Sequence, residues 1–150
     1  MKQLLKPTLL KMIEGSVGTK MFRNNLFEEE GKEVDILKNG NLSCAFYVSS
    51  IFYLLKMIGG VHATVAGTVS DLLASDWKIV SNPEAGDVII WVADETGHKH
   101  IGFCVGEGKS ISNDSKLGYP TEHHWTFGIK DDKPVREIEM IMRYDLTRQN

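Results

Sequence analysis

The chain lacks the features that mark nucleic-acid-binding, membrane-spanning and zinc-binding proteins. Its 17 Lys and Arg residues against 20 Asp and Glu residues give a net charge of −3, and no cluster of basic residues occurs. The longest apolar stretch without a charge, residues 42–55, is too short to cross a bilayer. Neither Cys-x-x-Cys nor His-Glu-x-x-His, two spacings typical of zinc sites, is present. We therefore expect no metal or other cofactor, no nucleic-acid partner and no membrane partner.

The N-terminal stretch also lacks the pattern of a secretory signal peptide. Lys6, Pro7 and Lys11 interrupt the apolar residues of 1–14, and no small-residue cleavage site follows. We therefore expect a cytoplasmic protein, or one exported without a classical signal. In such a chain the two cysteines, Cys44 and Cys104, are expected to be free thiols rather than a disulfide.

The length of 150 residues predicts a single domain with a hydrophobic core. Residues 1–40 are interpreted as a helical arm and lead-in, and residues 41–145 as the part that carries the chemistry. The segment 44–55 has apolar side chains on every face and no charge, which predicts a buried helix. A second helix is expected at 69–75, with Thr68 or Ser70 as its N-cap.

The second half of the chain changes to short runs with a period of two residues. These runs predict strands at 78–80, 88–92, 100–105, 109–112 and 135–144. The turns between them are short, which favours antiparallel hairpins. Helices followed by such a run of strands are typical of an α+β fold.

A cysteine and a histidine are the candidate reactive residues. Cys44 begins the predicted buried helix, where the helix dipole and unpaired N–H groups favour a thiolate. His100 begins an apolar strand, and an imidazole beside a thiol completes a nucleophile–base pair. A buried structural cysteine is the alternative interpretation. His98 and His100, with the pair His123 and His124, offer a metal site as a rival use of these side chains.

Three blocks of sequence resemble the NlpC/P60 and CHAP group of papain-like cysteine peptidases and amidases. Residues 43–48, Ser-Cys-Ala-Phe-Tyr-Val, resemble the nucleophile helix, Asp-Cys-Ser-Gly-Phe-Val. Residues 83–91 resemble the strand motif Pro-x-x-Gly-Asp-Leu-Val-Phe-Phe, and residues 100–109 resemble the hairpin His-Val-Gly-Ile-Tyr-x-Gly-x-Gly-Lys. The blocks occur in the family's order within about residues 40–113.

The resemblance implies a papain-like fold in which the buried helix of the N-terminal half packs on an antiparallel sheet. It implies a cysteine hydrolase with Cys44 as nucleophile and His100 as base. For the third catalytic residue, a two-residue turn at 107–108 would place Asn113 on the face of His100. A three-residue turn would bring Ser112 and Asp114 there instead. Asn113 is the preferred candidate, because its amide oxygen accepts from an imidazole N–H without adding charge.

The substrate implied by the resemblance is a peptide of the peptidoglycan type. Ser43 stands where the cell-wall enzymes have an Asp that holds the peptide's amine, and it is also the expected helix N-cap. Trp91 and Trp125 are candidate cleft residues, with Trp125 in the long irregular segment 113–127. The alternatives are a non-catalytic binding module on the same fold, and an amidase or isopeptidase acting inside the cell. The sequence predicts no particular oligomeric state, and Asp87 is expected to be structural.

Overall fold

Three helices precede most of the strands in the computed structural model, which describes residues 1–147. The helices are α1 (Leu5–Gly15), α2 (Cys44–Leu54) and α3 (Val65–Ala74). The strands are β1 (Leu26–Glu29), β2 (Lys32–Asp35), β3 (Lys78–Val80), β4 (Val88–Trp91), β5 (His100–Gly106), β6 (Lys109–Asp114), β7 (Tyr119–His124), β8 (Ile129–Lys130), β9 (Lys133–Pro134) and β10 (Ile138–Arg143). The predicted α+β fold is therefore confirmed.

Six strands form one antiparallel sheet in the order β3-β10-β4-β5-β6-β7. The helix α2 packs on one face of this sheet, where Tyr47 and Phe52 contact Phe103 of β5 with ring centroids 5.3 and 5.1 Å apart. The opposite face carries a smaller apolar cluster that includes Trp91 and Cys104. The candidate functional site lies at the N-terminal end of β5, at His100.

The N-terminal arm packs against the helix that carries Cys44. The side of α1 that faces the protein buries Leu5, Leu9 and Ile13. Just beyond α1, the hydroxyl groups of Ser16 and Tyr47 form a 2.6 Å hydrogen bond. The predicted helix at the start of the chain is therefore confirmed. It is followed by a small β1–β2 hairpin that the sequence analysis did not predict.

The second helix begins earlier than expected. Its N-cap is Thr64, whose hydroxyl oxygen accepts a 3.0 Å hydrogen bond from the N–H of Gly67. The prediction of Thr68 or Ser70 as the N-cap was therefore wrong. Thr68 lies inside α3 and donates from its hydroxyl to the carbonyl of Thr64 at 2.9 Å, so its polar side chain is satisfied within the helix.

The segment 113–127 is more regular than the sequence suggested. Its first part turns back at once, because the Asp114 carboxylate accepts 2.9 Å hydrogen bonds from the N–H groups of Lys116 and Leu117. Gly118 then adopts a φ of +73°, and the strand β7 follows. Pro120 is tolerated there because β7 is an edge strand.

Asp87 ties together the turn that precedes β4, as the sequence predicted. Its carboxylate accepts a 2.7 Å hydrogen bond from the N–H of Glu84. It also accepts two bonds of 2.8 and 2.7 Å from the guanidinium of Arg143 in β10. Because a bidentate pair fixes both groups, Asp87 has a structural role.

No helix among residues 1–147 is long and apolar enough to span a membrane.

Candidate active site

Cys44 is placed by a closely packed turn that leads into α2. The φ of Gly40 is +88°, and its backbone lies directly on that of Gly118 in the β6–β7 turn. The carbonyl of Gly40 accepts a 2.8 Å hydrogen bond from the side-chain amide of Asn113. These contacts fix the lead-in of α2 against β6, and with it the position of the thiol.

The Cys44 thiol lies against the backbone N–H of Ile101, the residue that follows His100. The residue as a whole is partly exposed. Burial of the thiol nevertheless raises its pKa, and this outweighs the opposing effects of the Ile101 and Ala45 N–H groups and of the Arg136 charge. The expectation of a favoured thiolate is therefore wrong for this structure. Desolvation outweighs the helix terminus, and the resting thiol is neutral.

Ser43 occupies the N-cap position of α2 without capping it through its side chain. Its hydroxyl instead donates a long 3.4 Å hydrogen bond to the carbonyl of Arg23. The residue is completely buried. Ser43 is therefore the N-cap residue, as predicted, although its side chain makes no capping hydrogen bond. Because it is buried, Ser43 presents no surface to a substrate in this conformation.

His100 begins β5 with its ring held between aromatic and polar neighbours. Its Nε2 atom lies 2.9 Å from the Ser112 hydroxyl, and the Trp91 and Phe127 rings have centroids 5.3 and 5.8 Å away. Burial, followed by the positive charge of Arg136, lowers the pKa of His100 to about 3. At neutral pH the imidazole is therefore uncharged, as a base must be before it accepts a proton.

Arg136 fixes the loop that leads from β4 to His100. Its guanidinium donates to the Val92 carbonyl at 3.1 and 2.9 Å and to the His98 carbonyl at 2.9 Å. One side chain thus joins the two ends of this loop. The start of β5 is held in place, and His100 has a fixed cation in its surroundings.

The hairpin register brings Ser112, and not Asn113, to His100. Two residues, Glu107 and Gly108, form the predicted tight turn, but the register shifts between Cys104 and Gly106. Such a bulge adds one residue to β5, so the pairs run Cys104↔Ser110 and Phe103↔Ile111. One step further, Gly102 lies opposite Ser112, and a Cβ atom on Gly102 would come within 2.6 Å of Ser112 Cβ.

The preference for Asn113 as the partner of the imidazole is corrected by this register. Successive side chains of a strand point to opposite faces. Asn113 therefore lies on the α2 side, where it is buried and bonded to Gly40. Ser112, which the sequence analysis kept as an alternative together with Asp114, makes the hydrogen bond to His100.

His123 in β7 extends this hydrogen-bond chain, and sequence reasoning missed it as a partner of His100. Its Nε2 atom lies 2.7 Å from the Ser112 hydroxyl, and its Nδ1 atom lies 2.7 Å from the His124 carbonyl oxygen. Its ring stacks on Phe127 with centroids 4.0 Å apart. A signal for it was present in the sequence. Asp114 and Gly118 are turn residues, and a turn there predicts that the chain folds back and that the next segment, β7, pairs with β6.

The two candidate cleft tryptophans occupy different environments. Trp91 is completely buried, and its indole N–H donates to the Trp125 carbonyl at 2.8 Å. Trp125 itself is partly exposed. Trp91 therefore supports the ring of His100 from inside the protein, while Trp125 retains a surface that a ligand can contact.

The remaining histidines lie outside this arrangement. His62 bonds to the Asp71 carboxylate at 2.5 Å, and His98 is an exposed loop residue bonded to Thr96. Within residues 1–147 no group of three or more His, Cys, Asp or Glu side chains is placed to hold a metal ion.

Acid should destabilise the fold through His100. An unfolded histidine takes up a proton near pH 6.5, whereas folded His100 stays neutral down to about pH 3. The unfolded state then binds more protons, so the free energy of unfolding decreases as the pH falls through this window. The slope that one histidine contributes is at most about 1.4 kcal/mol per pH unit. Burial lowers the pKa of His123 too, which adds a slope of the same sign.

Urea unfolding of wild type and His100→Gln between about pH 6.5 and pH 4 measures this contribution. The variant should show a shallower dependence on pH, while the exposed-loop control His98→Gln should follow wild type. Equal slopes for wild type and His100→Gln would contradict the assigned burial of the imidazole.

Neither the models of known protein families nor the curated proteins compared with this sequence give a match. Function is therefore argued from the residues and their geometry. A thiol at the start of a buried helix, an uncharged imidazole on the adjacent strand and a polar chain that orients this imidazole are the groups needed for nucleophilic catalysis.

Proposed function

We propose that the protein is a cysteine hydrolase that cleaves an amide bond, with Cys44 as nucleophile and His100 as base. One observation carries this proposal. The Cys44 thiol lies against the backbone immediately after His100, and the His100 ring is held by Ser112 at 2.9 Å. A nucleophile, a base and a group that orients the base are the three parts of such a site.

The reaction begins from uncharged groups in this proposal. His100 takes the proton from the Cys44 thiol as the sulfur attacks the amide carbonyl, which avoids forming a buried thiolate beforehand. Backbone N–H groups in the first turn of α2 stabilise the oxyanion. His100 then gives its proton to the leaving amine, and a thioester remains on Cys44. Finally His100 takes a proton from water as the water oxygen attacks the thioester carbonyl. The C–S bond then breaks, His100 returns the proton to the Cys44 sulfur, and the acid is released.

The resemblance to NlpC/P60 and CHAP enzymes supports the finer parts of the proposal, namely a papain-like fold and a peptide substrate of the peptidoglycan type. The arrangement of α2 on an antiparallel sheet agrees with that expectation. Ser43 supplies no carboxylate to bind the free amine of a wall peptide, and it is buried. We therefore propose that amine recognition at this position is lost, and that an amide or isopeptide inside the cell is the alternative substrate.

A non-catalytic binding module is the second candidate, and the electrostatics of the site favour it. Burial raises the pKa of the Cys44 thiol, so the resting protein lacks the reactive thiolate that many cysteine enzymes hold. In that case the hydrogen bonds around His100 would serve only to stabilise the sheet.

Hydrolysis of peptides by wild type and by Cys44→Ala separates the two candidates. The substrates are a digest of peptidoglycan stem peptides and, separately, a cytosolic peptide extract, with new amine ends detected by mass spectrometry. The hydrolase proposal predicts products from wild type and a decrease of more than about 10³-fold in Cys44→Ala. Cys104→Ala, which changes the other free thiol, should retain the activity. Equal product from wild type and Cys44→Ala, or no product from either extract, would favour the binding module.

A further inference from the structure

The hydrogen bonds that link three side chains of the sheet have a defined direction. His100, Ser112 and His123 lie on three adjacent strands, β5, β6 and β7. This series of hydrogen bonds ends at a main-chain oxygen, the carbonyl of His124, which lies 2.7 Å from His123 Nδ1. A carbonyl can only accept a hydrogen bond, so this end determines where each proton lies.

The protons can be assigned one bond at a time from that carbonyl. His123 Nδ1 carries a hydrogen, because it donates to the carbonyl of His124. A neutral imidazole has one N–H, so His123 Nε2 is an acceptor and the Ser112 hydroxyl donates to it at 2.7 Å. The single hydrogen of that hydroxyl is thus used toward His123. Toward His100 the hydroxyl oxygen is the acceptor, and His100 Nε2 donates to it at 2.9 Å.

The last step concerns the other ring nitrogen of His100. With its one hydrogen on Nε2, the neutral ring has an unprotonated Nδ1 atom. Nδ1 is the ring nitrogen nearer to the main chain, and the Cys44 thiol lies against the next main-chain N–H, that of Ile101. Nδ1 is therefore the only ring nitrogen of His100 that can accept the thiol proton in the proposed reaction.

We propose that His123 is a positioning residue that, through the Ser112 hydroxyl, holds His100 in the Nε2–H tautomer and so makes Nδ1 the basic nitrogen. This inference rests on the proposed function for its catalytic consequence, but the tautomer itself does not depend on it. The assignment also agrees with the surroundings of His123, since burial lowers its pKa and keeps the neutral form at neutral pH. The wrong tautomer of a catalytic histidine leaves the geometry intact but removes the base.

The tautomer of His100 can be measured directly by ¹⁵N–¹H NMR of the histidine rings at neutral pH. In wild type, Nε2 of His100 should give the protonated signal and Nδ1 the unprotonated one. In His123→Phe the stacking on Phe127 is retained while the acceptor is lost, so the Ser112 hydroxyl can donate to His100 instead. The population of the Nδ1–H tautomer should then increase. Glu122→Gln, the control on the exposed face of the same strand, should leave the tautomer unchanged.

Activity supplies the second measurement. His123→Phe should lower kcat by about 10–100-fold, the loss usual for groups that orient metal-binding histidines, with a much smaller change in KM. Ser112→Ala should give a loss of similar size, and the double variant should lose no more than the larger single loss, because both residues act through one chain.

The outcomes separate this inference from the proposed function. A wild-type His100 with Nδ1–H, or a tautomer that is identical in wild type and His123→Phe, would overturn the inference even if the protein hydrolyses amides. The predicted tautomers in a protein without hydrolase activity would support the positioning role and overturn the proposed function instead. If His123→Phe does not fold, the wild-type spectrum and that of Ser112→Ala still decide the assignment.

Discussion

Replacing His100 with alanine is expected to lower the rate of amide hydrolysis by about 10²–10⁴-fold, the usual contribution of a general base. The reason is that the Cys44 thiol is neutral in the resting protein, since burial raises its pKa. Without an adjacent base the thiol proton has no acceptor as the sulfur attacks. The measurement is kcat/KM for the peptide substrate of the wild-type protein. Imidazole added to His100→Ala should restore part of the rate, because the truncated side chain leaves room for it.

His98→Ala is the matched control for this experiment. His98 is the same residue type two positions away, and it is exposed in the loop before β5. Its replacement should change kcat/KM by less than about twofold, because surface substitutions generally have small effects. An equal loss in both variants would indicate damage to the loop rather than loss of the base.

Replacing Gly40 with alanine is expected to have the largest effect on stability, about 2–5 kcal/mol in the free energy of unfolding. Its φ of +88° is unfavourable for a residue with a side chain. A Cβ atom there would also come within 2.5 Å of Gly118 Cα and 2.8 Å of Gly118 O. Because both neighbours are main-chain atoms, the turn before α2 must move away from the β6–β7 turn. Urea unfolding measures the loss.

Gly31→Ala separates the cost of the backbone conformation from the cost of the contact. Gly31 has a φ of +75°, but a Cβ atom placed on it would meet nothing within 4 Å. This control should lose only about 1–2 kcal/mol. In Gly40→Ala, the displaced turn should also lower the hydrolytic activity of the molecules that remain folded. Similar stability losses in the two variants would contradict the close packing of Gly40 on Gly118.

The helix that carries Cys44 and the strands around His100 could be predicted because their patterns are local. A run of uncharged apolar residues predicts a buried helix, and the structure has α2 at Cys44–Leu54. The predicted strands at 78–80, 88–92 and 100–105 correspond to β3, β4 and β5 within one residue at each end. Local patterning was sufficient at these positions, since each element is bounded by turn residues.

The partner of His100 could not be predicted, because it depends on a single extra residue in β5. Without the bulge between Cys104 and Gly106, a two-residue turn would have paired Gly102 with Asn113. A shift of one residue exchanges the two faces of a strand, so Ser112 takes the place expected for Asn113. The part that His123 plays could not be predicted either, because it lies on β7. The polar residues of this segment and Pro120 did not suggest a strand there.

The ionisation of Cys44 was wrongly predicted for a related reason. The favourable helix terminus is a local feature that the sequence displays. The pKa is raised by burial of the thiol in the folded protein, and the N–H groups of Ile101 and Ala45 lower it by less. Such burial is a property of the packed molecule, and here it outweighs the local effect of the helix terminus on the thiol.

Acylation of the protein by an activated ester, p-nitrophenyl acetate, tests most directly whether Cys44 and His100 act as nucleophile and base. Short exposures followed by peptide mapping give the rates at Cys44 and Cys104 separately, in wild type and in His100→Ala. We predict that Cys44 is acylated faster than Cys104. The rate at Cys44 should be nearly independent of pH between about 5 and 8, because the pKa of His100 is about 3. His100→Ala should lower this rate at least about 10²-fold. A Cys44 that reacts no faster than Cys104, or at the same rate with and without His100, would contradict the assignment of Cys44 and His100 as nucleophile and base.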